Sequence, residues 1–573
     1  MTYKPPIASQ RFLLETVADI ATLPGEVDGD LAEAILTEAG KLAAGVFAPL
    51  NRIGDTEGAR WNDGVVTLPP GFAEALAAFA EGGWIGLNAE ERFGGQGLPF
   101  ALACAVQEQW ASANMALSLC PMLTLGAIEA LKVHGSPEQQ EDWLKPLVEG
   151  RFTGTMNLTE PQAGSDVGAL RTQATPAGDG SWRIRGSKIF ITWGEHDLAE
   201  NIVHLVLART PDAPAGTRGI SLFLVPKYLP GGVRNDVRCV SIEHKLGIHA
   251  SPTCTMSFGD EGNCIGWLIG PEMGGMRAMF TMMNHARINV GLQGIAVAER
   301  ATQAAAAFAR ERVQGRNAAG QPARIVEHPD VRRMLMTMRA LTEGARAIAC
   351  LNAAAVDRAH LGEADAQGLA DLLTPITKAF GTDIGVEVAS LGVQVFGGMG
   401  FIEETGAAQY YRDARIAPIY EGTNGIQAID LVGRKLSMDG GRHWRELLAR
   451  ERAFVATLAG GDLAALGPWL EDAVEALQAA AVTVSGSEGA DREAAAVPFL
   501  RMFGLTLAAL LLARQAVEAQ RRLAAGAGDA HFLQSRIDLA RYFAEQLLPA
   551  AAPLLGPISR GAGALFAVGE ELL

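Results

Sequence analysis

Along the 573 residues the spacing of apolar positions changes character twice. Up to about residue 150 apolar residues recur at three- and four-residue intervals, as over 11–23, 31–47 and 72–80, which predicts amphipathic helices. Pro69-Pro70-Gly71 interrupts that pattern, Gly94-Gly95-Gln96-Gly97 reads as a tight loop, and Ser136-Pro137-Glu138 starts a helix with Pro in its first turn. Near Phe152 the pattern breaks into short alternating or wholly apolar runs divided by Gly, Pro and Asp, among them 182–191, 202–208, 220–225 and 254–258. These predict β-strands, numerous enough for a sandwich or barrel. Helical spacing returns at Met273 over 274–312, 328–360, 371–396 and 409–415, and long helices with short connections predict a bundle. A last helical block covers 437–573, broken near Gly460-Gly461 and Gly486, with linker-like points at Gly440-Gly441 and 524–528.

The order predicts an α+β multi-domain chain: an N-terminal helical domain (1–151), a middle β-barrel or sandwich domain (152–271), a four-helix-type bundle (272–436) and an additional C-terminal helical domain (437–573). Parallel α/β alternation is absent, no GxGxxG follows a strand, and there is no Walker A motif, which argues against Rossmann and P-loop folds. A flavin or nucleotide would then sit between domains.

Composition narrows the function. A net charge of −16 opposes nucleic acid as a main partner, and 49% apolar with 20% charged residues is ordinary for a globular protein with large cores. Cys104, Cys120, Cys239, Cys254, Cys264 and Cys350 lack CxxC spacing and an accompanying His cluster, so they read as free thiols in a reducing compartment, with no zinc site. The first six residues, Met1 to Pro6, do not resemble a secretory signal, and a cytoplasmic location is expected. The longest uncharged stretch, 109–128, carries Ser112, Asn114, Ser118, Pro121 and Thr124 and reads as a buried helix pair, not a membrane span.

The chemistry centres on Ile419-Tyr420-Glu421-Gly422-Thr423-Asn424-Gly425-Ile426-Gln427. A carboxylate set among an aromatic ring, glycines and β-branched residues can lose hydration, and its raised pKa makes it a base suited to a weakly acidic C–H proton. By itself such a stretch is an ordinary Gly-containing loop with a solvated Glu; other segments change that. Met156-Asn157-Leu158-Thr159-Glu160-Pro161-Gln162-Ala163-Gly164-Ser165-Asp166 combines hydroxyls with small residues that admit a ligand to the backbone, although a strand ending in a turn has the same composition. Lys188-Ile189-Phe190-Ile191-Thr192-Trp193-Gly194 puts a ring and a hydroxyl on one face of a strand, as a core strand also does. Asn284-His285-Ala286-Arg287 and Arg310-Glu311-Arg312-Val313-Gln314-Gly315-Arg316 offer arginines for phosphates, or simply solvated helix charge. Gln394-Val395-Phe396-Gly397-Gly398-Met399-Gly400-Phe401 has more glycine than a helix C-cap needs.

Together and in this order, these segments resemble the acyl-CoA dehydrogenase family over about residues 30–435. The extra C-terminal block resembles the longer bacterial branch, which includes fatty acyl-CoA and 3-methylmercaptopropionyl-CoA dehydrogenases. The resemblance implies FAD between the β-domain and the bundle, with Glu421 as catalytic base. It implies FAD contacts from Met156, Leu158, Thr159, Gly164, Ser165, Phe190, Ile191, Thr192, Thr423 and Asn424, and from Arg312, Gln314, Gln394, Gly397 and Gly398 across a subunit interface. Substrate contacts fall to Ser165, Asn284, Arg287, Tyr420 and Gly422. The implied reaction is dehydrogenation of an acyl-CoA to the 2-enoyl-CoA: Glu421 takes the α-proton, flavin N5 takes the β-hydride, and electrons pass to electron-transferring flavoprotein. The implied assembly is a homodimer, with a tetramer left open.

Three departures bear on this. Phe190 stands where many members have Trp, and Asn284 and His249 stand where some have Asp and Arg. Ala286 occupies the position that supplies the base in one branch, which leaves Glu421 alone in that role. An acyl-CoA oxidase would use the same residues with dioxygen, and a desulfinase-like lyase relative would not need the base retained here. A non-enzymatic DNA-repair-associated homologue would need a basic C-terminal surface, whereas residues 437–573 hold 12 Lys and Arg against 16 Asp and Glu.

Overall fold

The structure is a computed structural model that describes residues 2–573. The N-terminal part holds α1 (Ile7–Leu13), α2 (Gly29–Leu42), α3 (Ala48–Glu57), α4 (Phe72–Glu81), α5 (Phe100–Ala113), α6 (Met115–His134) and α7 (Pro137–Val148). Polar caps set several starts: Asp28 accepts from the N–H groups of Asp30 and Leu31, and Ser136 with Gln139 forms a capping box on α7. The uncharged stretch is the helix pair α5–α6, split at Asn114, whose side chain accepts from the Leu117 N–H. By length and hydropathy α6 is one of two helices able to cross a membrane, yet 83% of that window is buried inside the protein. One element departs from the all-helical expectation. A hairpin of β1 (Arg60–Asn62) and β2 (Val65–Thr67) turns through Asp63-Gly64, both at positive φ, and that dipeptide is itself a hairpin signal.

The middle part contains β3 (Phe152–Asn157), β4 (Gln173–Pro176), β5 (Trp182–Thr192), β6 (Asn201–Ala208), β7 (Ser221–Pro226), β8 (Val237–Ile242), β9 (Thr253–Phe258) and β10 (Ile265–Ile269). The sheet order is β3-β6-β7-β10-β5-β9-β8, with β4 also on β5. The β3–β6 pair is parallel and the other pairs are antiparallel. β5 pairs with β4 and β10 at its start and with β9 at its end, so the sheet folds over a core that includes Ile184, Val206, Phe223, Met256 and Phe258. β6 and β7 are buried at every position because both faces are covered.

The bundle is built on α8 (Gly275–Glu311), α9 (Pro329–His360) and α10 (Ala366–Phe396), with the hairpin β11 (Val313–Arg316) and β12 (Pro322–Arg324) between α8 and α9. Short helices follow: α11 (Gly398–Phe401), α12 (Ala407–Ala414) and α13 (Asn424–Asp430). α8 and α10 meet backbone to backbone. A Cβ on Gly294 would lie 2.3 Å from the Gly381 carbonyl, and one on Gly381 would lie 2.7 Å from the Gly291 carbonyl.

The last part, α14 (Arg442–Ala456), α15 (Gly467–Gly486), α16 (Gly489–Ala524) and α17 (Ala530–Tyr542), packs directly on the bundle. Gly504 of α16 lies so close to Phe380 that a Cβ would meet the ring at 2.3 Å. A buried charge cluster joins this part to two others. Arg346 on α9 contacts Glu108 of α5 at 2.7 Å, Glu299 of α8 at 2.6 Å and Glu343 at 3.0 Å, while Arg536 of α17 reaches Glu343 at 3.1 Å and Arg339 reaches Glu299 at 3.1 Å. Ser9 also donates to Glu343.

Candidate active site

The turn between α12 and α13 carries Glu421. Its backbone is pinned at both ends: the Tyr420 N–H donates to the Ile416 carbonyl and the Asn424 N–H to the Pro418 carbonyl. Thr423 caps α13 by accepting from the Ile426 N–H at 3.2 Å. Between these points Glu421 has φ +57° and Gly422 φ +83°. Left-handed backbone is routine for Gly and costly for Glu, so the surrounding hydrogen bonds hold Glu421 in a conformation it would not choose alone. The outcome is a carboxylate whose Oε2 is buried and has no hydrogen-bond partner among the described residues. Burial pushes this carboxyl up, Arg287 and Lys378 pull it back, and it settles at about 7. The Glu421 N–H makes no hydrogen bond to the described residues either.

The neighbours of that turn come from α8, α10 and α13. The Tyr420 hydroxyl donates to Oε1 of Gln293, and Gln293 Nε2 lies 3.1 Å from Met122 Sδ on α6. Beside them a cavity between α5, α6 and α8 is lined by residues that include Trp110, Ser118, Met122, Asn289 and Gln293. Trp110 Nε1 and Asn289 Oδ1 have no partner there. Gln427 donates to the carbonyls of Glu421 and Gly422, at 3.2 and 3.4 Å. Arg287 is buried, 3.6 Å from Asp430, and a Cβ on Gly422 would lie 3.8 Å from its guanidinium. Arg287 thus stands against the Glu421 turn and Asp430. Asn284 is half-buried one turn earlier on α8, and Ala286 is buried. The Asn424 side chain, expected near the cofactor, is taken up by α10, where it bonds Lys378, Thr382 and Asp383. His249 is likewise engaged, with the Asp55 and Lys245 carbonyls.

The two segments expected against a flavin lie side by side. The Ile189 N–H donates to the Thr159 carbonyl at 2.9 Å, and Lys188 bonds the Leu158 carbonyl at 3.0 Å and Glu160 at 2.8 Å. Burial pushes the Glu160 carboxyl up, but the Lys188 ammonium, the Thr172 hydroxyl and the Arg171 N–H outweigh it and bring it down to about 2. The strand is not regular here. A bulge opposite β9 falls between Lys188 and Ile191, and Phe190 takes φ +58°, so its ring stands 58% exposed beside the half-buried Thr192 while Ile191 turns into the core. Met156, Leu158 and Thr159 are half-buried, Gly164 and Ser165 are exposed, and a Cβ on Gly164 would meet nothing within 4 Å. The hydroxyls of Thr159, Ser165 and Thr192 have no hydrogen-bond partner among the described residues. An exposed ring, free hydroxyls and an open glycine cradle fit a polar heteroaromatic cofactor.

A third group lies at the other end of the bundle. Phe308 and Phe396 stack at 4.3 Å, which brings the exposed Arg312 and Gln314 next to the exposed Gln394, Gly397 and Gly398. Arg287 and Arg312 are 25 positions apart along α8, or about 37 Å at 1.5 Å per residue. This group therefore cannot join Glu421 within one chain.

Models of the acyl-CoA dehydrogenase N-terminal, middle and C-terminal domains match residues 51–151, 155–260 and 273–436, and an acetyl-CoA dehydrogenase C-terminal-like model matches 447–568. The chain belongs to the acyl-CoA dehydrogenase family. It is 48% identical over 570 residues to a 3-methylmercaptopropionyl-CoA dehydrogenase of Ruegeria pomeroyi, covering 96% of each chain. It is 35% identical over 587 residues to the broad-specificity linear acyl-CoA dehydrogenase FadE5 of Mycobacterium tuberculosis, again over 96% of each. Among solved structures, a Bacillus anthracis acyl-CoA dehydrogenase complexed with FAD superposes with TM-score 0.77 at 20% identity, covering 98% of this chain and 93% of that one. As a member of this family the chain is an oxidoreductase. Sequence reasoning about an acyl-CoA dehydrogenase had assigned no role to Gln293, Lys378 or the Lys188–Glu160 pair. Their partners lie 28 to 171 positions away, and no local pattern marks them.

Proposed function

We propose that the chain catalyses FAD-dependent α,β-dehydrogenation of an acyl-CoA thioester, with Glu421 as the base that removes the α-proton. The observation that carries this reading is the Glu421 carboxylate itself: buried, without a partner at Oε2, and shifted to about 7. A carboxylate solvated at the surface is too weak a base for a thioester α-proton; desolvation strengthens it. The free Glu421 N–H is suited to donate to the thioester oxygen as negative charge develops there, as donors in an oxyanion hole do. The family is FAD-dependent. When bound, FAD supplies the two-electron acceptor. Thr159, Ser165, Thr192 and the Phe190 ring would hold it, and Lys188 with Glu160 would keep their two segments in register. The distant Arg312 and Gln394 group would serve the site of a second copy, and exposed Val313, Met399, Phe401 and Ile402 around it support a homodimer.

For the substrate we propose short linear acyl-CoAs, including 3-methylmercaptopropionyl-CoA. The name of the Ruegeria pomeroyi relative and the sulfur- and amide-bearing wall of Met122, Gln293 and Asn289 support this choice. Anaerobic bleaching of the flavin by a panel of acyl-CoAs tests it. Fast bleaching by butyryl-CoA and 3-methylmercaptopropionyl-CoA, and slow bleaching by branched chains, is expected. No bleaching by any acyl-CoA in a flavin-loaded protein would end the proposal. Electrons are expected to leave to electron-transferring flavoprotein, not to dioxygen, which steady-state turnover with each acceptor distinguishes.

Lys188→Met should reduce FAD retention on gel filtration several-fold. It strands Glu160 as a buried carboxylate with only neutral donors, and breaking one side of such a pair costs about 3–5 kcal/mol. Full FAD retention in that variant would show that the pair does not shape the cofactor segment.

A further inference from the structure

Behind the Glu421 turn lies a second buried charge. Lys378, in the middle of α10, is fully buried, and its Nζ makes hydrogen bonds of 2.9 Å to the Ala417 carbonyl and to Oδ1 of Asn424. Those two acceptors flank Glu421: Ala417 lies within the turn four residues before it, and Asn424 opens α13 three residues after it. Asn424 is anchored in turn to α10 by Nδ2, which bonds the Ala379 carbonyl, Thr382 and Asp383. An ammonium in a protein interior is expensive, and apolar residues of similar volume are often as stable. A lysine used only as filler would not need to bridge the chain on either side of Glu421.

We propose that Lys378 is a positioning residue for the base: it ties together the chain on either side of Glu421 and supplies a second buried positive charge, beside Arg287, that favours the ionised carboxylate. This rests on the reading of Glu421 as the base. The charged groups around the pair are few. Arg287 faces Glu421 from α8 and is partly neutralised by Asp430 of α13, and Asp383 faces Lys378 from one turn further along α10. Tyr420 is adjacent and stays protonated, since burial pushes its phenol up. Arg287 has the larger pull on the carboxyl, and Lys378 adds a second one from α10. Burial draws Lys378 itself down to about 7, while the Glu421 and Asp383 carboxylates oppose that fall.

The test follows the carboxyl directly in the FAD-loaded enzyme. Carboxyl titration of Glu421, assigned by difference against Glu421→Gln in infrared spectra, should move to higher pH by about one to two units in Lys378→Met. Lys378→Gln keeps a donor without the charge and should shift it comparably, which covers the case in which the Met variant does not fold. Asn424→Ala removes one anchor but keeps the charge. It should speed amide exchange over residues 417–424 and leave the midpoint within about 0.3 units. A midpoint unchanged in both Lys378 variants would overturn the proposal. Normal flavin bleaching by Glu421→Gln would instead refute the assignment of the base, whatever the carboxyl titration shows.

Discussion

Glu421→Gln is expected to retain FAD and to be reduced by acyl-CoA at least about a thousandfold more slowly than the wild type, within the usual range for loss of a general base. The amide keeps the shape of the side chain and cannot take a proton. Because burial raises the wild-type carboxyl to about 7, flavin reduction in the wild type should climb with pH through about 7 as the base ionises. Stability carries a matching signature. The folded state holds a proton on Glu421 that the unfolded chain releases near 4.5, so between those values rising pH works against folding. Glu421→Gln removes that penalty. It should therefore gain thermal stability relative to the wild type above pH 7 and show little difference near pH 4.5. Rapid-mixing absorbance at 450 nm and melting curves at the two pH values measure both. Fast bleaching by the Gln variant would remove Glu421 from the mechanism.

The second large effect concerns folding. Arg346→Met should lower stability by about 3–5 kcal/mol, because Arg346 is the cation shared by Glu108, Glu299 and Glu343. Its loss leaves three buried carboxylates to Arg536 and the more exposed Arg339. In the wild type, burial pushes Glu343 up, but Arg536, Arg346 and Arg339 hold it well below the usual range, so its contribution is present above about 4.5 and fades as pH falls. In the variant the sign reverses, since an excess carboxylate can be relieved by taking a proton. The deficit should shrink as pH is lowered from 7 towards 5. A deficit independent of pH would indicate a packing defect alone.

The strands are legible in sequence, because the apolar run over 202–208 and the alternation over 254–258 are local information that the sheet keeps. The hairpin at 60–67 is hidden under a helical background, although Asp63-Gly64 carries the signal. The desolvation of Glu421 could be expected from its neighbours, but its left-handed backbone could not, since the hydrogen bonds from Tyr420 to Ile416 and from Asn424 to Pro418 that frame it are set by the fold. The same holds for Phe190: the aromatic could be predicted, the bulge that turns it outward could not. A helix arginine in sequence has no depth, so Arg287 is open there to phosphate binding or to solvated helix charge; its burial against Asp430 emerges only when α13 folds back on α8.

The glycine contact between α8 and α10 limits how this scaffold can change. Arg287 and Gln293 flank or adjoin Gly291 and Gly294 on one helix, and Lys378 precedes Gly381 on the other. No side chain stands between the two backbones there, so nothing can be repacked to widen the seam. The spacing between Glu421, its cations and the α8 wall of the cavity is a property of the main chain. Room for a larger occupant of that cavity has to be carved from the opposite wall, at Trp110, Ser118 and Met122, leaving Glu421 and its cations untouched. With Glu421 as the proposed base, substrate range and base chemistry can evolve on separate helices.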